Sequence, residues 1–317
     1  MMYCLSLEST DPFFNLAVEE YLLKNRDEDF FILSINDPSV IIGKHQVAHR
    51  EINTEYITEY GIPVIRRITG GGTVFHDHGN LNFTFIARST TGKQVDFRKY
   101  TLPVIGFLES LGVSADFAGK SDLKVNGYKI SGNAEHVYRE RVLHHGTLLF
   151  STSLNVLKNS IRQNKSGYTT RAVRSSPSSV MNLCEIIRQI KNINEFRSLL
   201  LGFILNYQPG NSITALTEEQ ISAITALAGS KYRTWEWNYA YGPEYYFTNQ
   251  FEIRGVQYLC RLDVKDGIIH GCDITGPGVM ADICKKLIGF RHMPSDIFEF
   301  FRKEGLMISL SEVYNYF

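Results

Sequence analysis

The sequence predicts a protein of mixed helices and strands, and three local signals carry that reading. Asp11 followed by Pro12 marks a helix start, because a carboxylate can accept from an orphan backbone N–H and proline suits the first helical turn. Asn126-Gly127 between two alternating runs is the strongest short signal for a hairpin. Three consecutive glycines, 70 to 72, follow Arg66-Arg67 and precede β-branched and aromatic residues. A triple glycine would weaken a strand, so it reads as a loop whose backbone something approaches closely.

Phe14, Leu16, Ala17, Val18, Tyr21 and Leu22 supply one buried face of the first helix, which ends near Asn25. Strands are expected at 30–35 and 39–43, then a short helix after Asn53 stopped by Gly61. Segments 64–67, 73–75 and 82–87 read as strands around the glycine loop. A helix is expected over 96–111, stopped by Gly112, with Pro103 as a kink point. Residues 114–150 read as three or four strands. Lys129 then falls early on the strand returning from Asn126-Gly127, from where it can reach a cleft beside the glycine loop.

The stretch 163–182 is polar and rich in Ser, Thr and Arg. It is either a solvated surface loop or a lid whose Arg171 or Arg174 meets an anionic substrate or partner. Helices follow at 193–206 and 217–228, the second opened by a Thr217/Gln220 capping box. Residues 239–246 read as a linker into a small second domain. There Val256, Tyr258, Cys260, Leu262 and Val264 alternate with polar residues as a half-buried strand. Asp266-Gly267 turns it into a strand over 268–274, and helices are expected at 278–289 and 295–304.

The chain has 317 residues, 44% of them hydrophobic, enough for one large or two ordinary domains. A formal net charge of zero argues against a dedicated nucleic-acid binder. No apolar run approaches the ~20 residues of a membrane span, and the N-terminus has no signal-peptide pattern. Five scattered cysteines without a Cys-x-x-Cys pair fit reduced, buried thiols in the cytoplasm and not a zinc site.

Backbone N–H groups flanked by arginine suit a phosphate, since both donate to its oxygens. The glycines alone fit a flexible hairpin turn equally well. No Gly-Lys-Ser/Thr follows them and the Gly-x-Gly-x-x-Gly spacing is absent, which disfavours a P-loop hydrolase and a dinucleotide enzyme. His76-Asp77 and His145 could bind metal or act as a base, or could be held structurally near the pocket.

Taken together, Arg66 to Asn80, Gly119-Lys120-Ser121-Asp122, Lys129-Ile130-Ser131-Gly132-Asn133-Ala134 and His144 to Leu149 resemble the lipoate–protein ligase family. The opening segment 11–20, Ser39 to Gln46 and Trp235 to Asn238 extend the resemblance over nearly the whole chain. It implies an α+β fold: a mixed or antiparallel sheet flanked by helices, with a catalytic domain over 1–240 and a small α+β accessory domain over 247–317. It also implies ATP-dependent formation of lipoyl-AMP, with Mg²⁺, and transfer of lipoyl to a lysine of an apo lipoyl domain. Acceptors in this family include 2-oxoacid dehydrogenase acyltransferase subunits and the glycine-cleavage H protein. Octanoate is an alternative substrate, and a cytoplasmic monomer without nucleic-acid or membrane partners is expected.

Carried onto this sequence, the resemblance makes Lys129 the catalytic residue, touching acyl carbonyl and phosphate. Arg67, Gly72, Thr73, Val74 and Phe75 match the ATP-binding positions, and Gly70, Gly71, His76 and His145 the lipoate-binding ones. Asp122 is the candidate Mg²⁺ ligand. Phe75, Phe83 and the first helix are expected to line an apolar slot. Three departures stand out: Ser121 and Val47 each replace an asparagine of the family pattern, and Asn133 replaces a serine. Two rival readings remain. One is an octanoyl or lipoyl transferase using a cysteine nucleophile, for which Cys184 is the one candidate to test. The other is a non-catalytic protein that binds lipoyl domains or nucleotide. A linker near 240–248 predicts domain rotation between activation and transfer.

Overall fold

A computed structural model describes residues 1–89, 96–164, 166–277 and 283–317. The chain opens on β1 (Tyr3–Ser6) and α1 (Pro12–Asn25). The Asp11 carboxylate accepts from the Phe13 N–H at 3.0 Å, with Pro12 in the first turn. β2 (Phe30–Ile35) and β3 (Ser39–Ile42) precede two short helices, α2 (Ala48–Glu51) and α3 (Thr54–Glu59). β4 (Val64–Arg66), β5 (Val74–His76) and β6 (Asn80–Arg88) surround the three glycines. α4 (Phe97–Ser110) leads into β7 (Asp116–Ala118), β8 (Asp122–Val125), β9 (Tyr128–Tyr138) and β10 (Arg141–Leu149). Next come α5 (Leu154–Ser160), β11 (Tyr168–Thr169), α6 (Ile193–Tyr207), β12 (Ser212–Ile213) and α7 (Glu218–Leu227). The C-terminal portion holds β13 (Tyr245–Ile253), β14 (Val256–Lys265), β15 (Ile268–Thr275), α8 (Pro294–Lys303) and α9 (Leu310–Val313).

The large sheet has the order β12-β1-β2-β6-β10-β9-β8-β7. β1 runs parallel to β2 and β12, and the other neighbours are antiparallel, so the sheet is mixed. Every residue of β2 is buried because helices cover both faces. Phe31, Leu33 and Ile35 join the core under α4 and α6, where Phe107 and Phe150 pack on Phe196 with ring centroids 5.3 and 4.8 Å apart. Phe30 and Ile32 face the other core, with Leu16, Val18 and Leu22 of α1 and Ile224 of α7. Each such buried side chain contributes about 1.5–3 kcal/mol. The α+β class therefore follows from period-two strands sandwiched between helix layers.

A three-stranded sheet, β4-β3-β5, backs the glycine loop. A third sheet, β11-β13-β14-β15, contains the C-terminal strands and one short strand from the polar stretch 163–182. Val47, Tyr168 and Ala172 belong to the same core as Phe247, Leu262, Ile274, Phe300 and Tyr316. β13 begins inside the segment that reads as a linker in the sequence. Its turn into β14 is Arg254-Gly255 (φ 51° and 79°), the same left-handed pair as Asn126-Gly127 (51° and 81°) and Asp266-Gly267 (50° and 69°). Arginine is not a turn residue by type, so Gly255 alone marks this hairpin, a weaker signal than Asn-Gly or Asp-Gly. The start of the helix expected over 278–289 lies outside the described residues. Its later part is a short 3-10 turn at Cys284–Leu287.

Candidate active site

A cavity of about 390 Å³ opens on the α1 face of the large sheet, a size suited to a small-molecule site. Strand register assembles its floor. Ser34 lies opposite Asn82, Asn82 opposite Thr147, and His145 opposite both Thr84 and Ala134. Asn15, Leu16 and Glu19 of α1 form one wall, residues 71–74 a second, and residues 118–122 with Lys129 a third. Residues 173–176 close over it.

A hydrogen-bonded chain ties α1, the sheet and the glycine loop together. Glu19 Oε1 accepts from the Thr84 hydroxyl at 2.5 Å, and Glu19 Oε2 lies 2.9 Å from His145 Nδ1. His145 Nε2 lies 2.8 Å from the Thr69 hydroxyl oxygen, which accepts from Arg67 Nε at 2.8 Å. The Glu19 carboxylate accepts, so the imidazole donates to it through Nδ1. Arg67 Nη1 donates to the Ile41 carbonyl at 3.1 Å, and Nη2 to the Gly70 and Gly72 carbonyls at 2.7 Å each. Burial pulls the Arg67 guanidinium down to about 10, which leaves it cationic at neutral pH. It is a strut that shapes the loop and places positive charge beneath it. His76 accepts at Nδ1 from the Asn36 amide at 2.9 Å, and burial brings its pKa to about 3, so the ring is neutral.

Lys129 Nζ sits 2.9 Å from Asp122 Oδ1, on the wall facing the glycine loop. Its stem crosses Gly132, where a Cβ would stand 2.9 Å from Nζ. The loop is packed as closely on its other side. A Cβ on Gly43 would lie 2.2 Å from the Gly71 carbonyl oxygen, and Gly71 itself has φ +93°.

The described residues of the stretch 163–182 are mostly exposed, as a surface loop would be, but the stretch is anchored at several points. Tyr168 pairs with Phe247 in the third sheet. Ser175 Oγ accepts from the Thr73 N–H at 2.9 Å and from Gln46 Nε2 at 3.1 Å, and donates to Glu51 at 2.5 Å. The Ser179 carbonyl accepts from the Lys129 N–H at 2.8 Å. Of the two arginines singled out there, Arg174 lines the cavity and Arg171 does not.

Most sequence-predicted residues converge. Arg67, Gly71, Gly72, Thr73, Val74, His76, Asp122, Lys129 and His145 all border this one cavity. Three expected lining residues do not. Val74 and His76 face the cavity, so Phe75 between them points the opposite way into the core with Val40 and Ile42. Phe83 is turned away for the same reason, since its neighbour Asn82 takes the cavity face. Gly70 does not line the cavity, and its carbonyl accepts from Arg67. Val47, in place of a polar residue, packs into the core of the third sheet. Sequence reasoning missed Glu19, Thr69 and Ser175 as site residues. Only Glu19 left a signal, a carboxylate among the apolar positions of α1.

Among the described residues no three His, Cys, Asp or Glu side chains group to hold a metal, and no helix is long and apolar enough to cross a membrane. None of the five cysteines lines the cavity. Burial raises the Cys184 thiol and pushes Cys4 up to about 11. Cys284 is held near 7 by the Cys272 thiol that donates to it, but it is buried in the core of the third sheet. What converges is an ammonium beside a carboxylate, backbone amides on a glycine loop, and the imidazoles of His76 and His145. Such groups can bind and polarise an anionic substrate.

Fold and cavity thus define an enzyme site for a small anionic substrate, and comparison with known proteins places it. Residues 11–204 match the family model described as lipoyl protein ligase A/B catalytic domain. The chain is 37% identical over 289 residues to lipoate–protein ligase 1 of Staphylococcus aureus, covering 89% of this chain and 88% of that protein. It is 35% identical over 305 residues to lipoate-protein ligase LplJ of Bacillus subtilis, covering 94% and 92%. A solved lipoate-protein ligase A bound with ATP superposes with a TM-score of 0.63 at 27% identity, over 75% of this chain and 98% of that one. A Thermoplasma acidophilum protein with bound lipoic acid gives 0.63 at 27%, over 74% and 98%. A bipartite lipoate protein ligase described with its E2 lipoyl domain, from the same organism, gives 0.62 at 27%, over 74% and 95%. The chain belongs to the lipoyl protein ligase A/B family.

Proposed function

We propose that this protein is an ATP-dependent lipoate–protein ligase that makes lipoyl-AMP and transfers lipoyl to one lysine of an apo lipoyl domain. Family membership over most of the chain supports the reaction class. The observation that carries the site is Lys129, paired with Asp122 and facing the glycine loop across a single cavity. In activation, a lipoate carboxylate oxygen attacks the α-phosphorus of ATP and the bond to pyrophosphate breaks. The Lys129 ammonium would sit between carboxylate and α-phosphate, stabilising the charge that builds there. Backbone groups of Gly72, Thr73, Val74 and Phe75 would run along the nucleotide, with Arg67 beneath them. Gly71, His76 and His145 would border the lipoate, and Leu16, Ile41 and Val74 offer apolar surface to its chain. In transfer, the acceptor lysine amine attacks the acyl carbon, AMP leaves, and the amine proton passes to AMP or water.

Asp122 fits Mg²⁺, which takes one or two carboxylates together with substrate phosphates and waters, and the ion would neutralise phosphate charge. The domains of this reading are 1–240 for catalysis and 247–317 as accessory, hinged near 240–248. Because β11 belongs to the third sheet, rotation there would also carry residues 168–176, which seat Ser175 on the glycine loop. The same orientation with and without lipoyl-AMP would sink this hinge. The reading extends to octanoate as substrate, to acyltransferase subunits and the glycine-cleavage H protein as acceptors, and to a cytoplasmic monomer. A cysteine-dependent transferase is disfavoured, since no thiol reaches the cavity.

Intact-mass analysis of an apo lipoyl domain with this protein, lipoate and Mg²⁺-ATP is the test. A lipoyl mass shift that needs both ATP and Lys129 supports the reading. Modification from octanoyl-acyl-carrier protein without ATP overturns it in favour of the transferase. Nucleotide binding with no modification under either condition overturns it in favour of a binding protein.

A further inference from the structure

His144 and Glu135 lie directly opposite each other in the β10–β9 register, on the face turned away from the cavity. Their side chains are 0% and 1% exposed, with Nδ1 and Oε1 2.8 Å apart. The imidazole is held between Tyr100, Phe97 and Phe83, at centroid distances of 5.3, 5.6 and 6.1 Å. A buried polar pair in such apolar surroundings is costly, and an apolar pair would pack there as well. The other end of the imidazole shows what the pair does. His144 Nε2 lies 3.2 Å from Asn133 Oδ1.

The Asn133 amide nitrogen spends its two protons on the Ser121 carbonyl at 2.8 Å and the Ser131 hydroxyl at 3.2 Å. The Asn133 backbone N–H also donates to the Ser121 carbonyl, at 2.9 Å. Its amide oxygen must therefore face His144, and Nε2 must carry a proton. Gly146 leaves the room: a Cβ there would stand 2.1 Å from Asn133 Oδ1. Ser121 precedes Asp122, the carboxylate that holds Lys129. The turn that Asn133 grips is thus a wall of the cavity.

We propose that Glu135, His144 and Asn133 are positioning residues. A proton held between Glu135 and His144 fixes the amide of Asn133, which clamps the Ser121 carbonyl and so sets Asp122 and the Lys129 ammonium against the substrate. The activity arm of this inference rests on the ligase reading; the spectroscopic arm does not.

The spectroscopic arm is the ¹⁵N resonance of the His144 imidazole in the intact protein. Nε2 is expected to carry a proton at neutral pH; an unprotonated Nε2 overturns the proposal. The activity arm follows lipoyl-AMP formation by pyrophosphate release. Asn133→Asp keeps the size but removes the amide donors, and kcat is expected to fall about tenfold or more, with KM for ATP and lipoate changing less. Glu135→Gln can still pair with Nδ1 while Nε2 keeps its proton, so it recovers most of the rate that Glu135→Leu loses. Wild-type kcat in Asn133→Asp, or equal rates in the two Glu135 variants, overturns the clamp. If the unsubstituted protein forms no lipoyl-AMP, the ligase reading falls, and the Nε2 proton alone decides the network.

Discussion

Replacing Lys129 with alanine should separate catalysis from stability. The Lys129–Asp122 pair is 2.9 Å apart, but the two side chains are 23% and 27% exposed, so water screens it. Pairs of this kind contribute about 0.2–1 kcal/mol. In a chain of this size that corresponds to a Tm change of about 2–4 °C at most. The strand also keeps its backbone bonds to Ser179 and Met181 without the side chain. Loss of one preorganised charge at a reacting phosphate is far larger, about 10²–10³ in rate. Lys129→Arg should not rescue, because the lysine stem fits only across Gly132 and a guanidinium is a wider, planar group. The assays are pyrophosphate release, intact mass of the acceptor and calorimetry. A rate within about threefold of the unsubstituted protein would refute the assignment. So would a fall in Tm of more than about 10 °C, which would make the loss a folding defect.

Gly43→Ala places a methyl 2.2 Å from the Gly71 carbonyl and must displace the glycine loop. Ligation should drop about 10²-fold while circular dichroism stays native, and undiminished ligation would contradict the packing. Cys184→Ala should ligate at the normal rate; loss of acyl transfer in that variant would revive the thioester route. Acid should destabilise the fold through its buried neutral imidazoles. Burial lowers His76 to about 3 and His292 to about 4, from 6.5. Between 6.5 and these values the unfolded chain binds more protons, so stability is complete above the unfolded pKa and declines as pH falls towards 4. A Tm by calorimetry that stays flat across that window would refute the neutral, buried rings.

Elements set by neighbouring residues were legible. Asp11-Pro12 starts α1, Thr217 and Gln220 cap α7 reciprocally, and Asn126-Gly127 and Asp266-Gly267 make their turns. The candidate residues that border the cavity were legible as well, because their motifs are local strings: the glycines after Arg67, and Lys129 beyond a hairpin turn. β13 was only weakly marked, because Arg254 adopts a left-handed turn conformation that its residue type does not announce. The exposure of the stretch 163–182 was legible from its polar composition, but its anchoring was not, because composition does not record distant partners. Ser175 finds its partner Thr73 on the glycine loop, 102 positions away, and Tyr168 pairs with Phe247 in β13.

The sequence by itself determined the turns, the caps, the alternation of the strands and the residue types that can meet a phosphate. These depend on backbone sterics and on hydrogen bonds between near neighbours. Tertiary structure decided which face each strand residue takes, and so sent Phe75 and Phe83 inward while Val74, His76 and Asn82 reached the cavity. It also decided that Arg67 braces the loop and that Glu19 orients His145 from 126 positions away. Both outcomes follow from strand register and helix packing, which bring together groups that no local propensity relates.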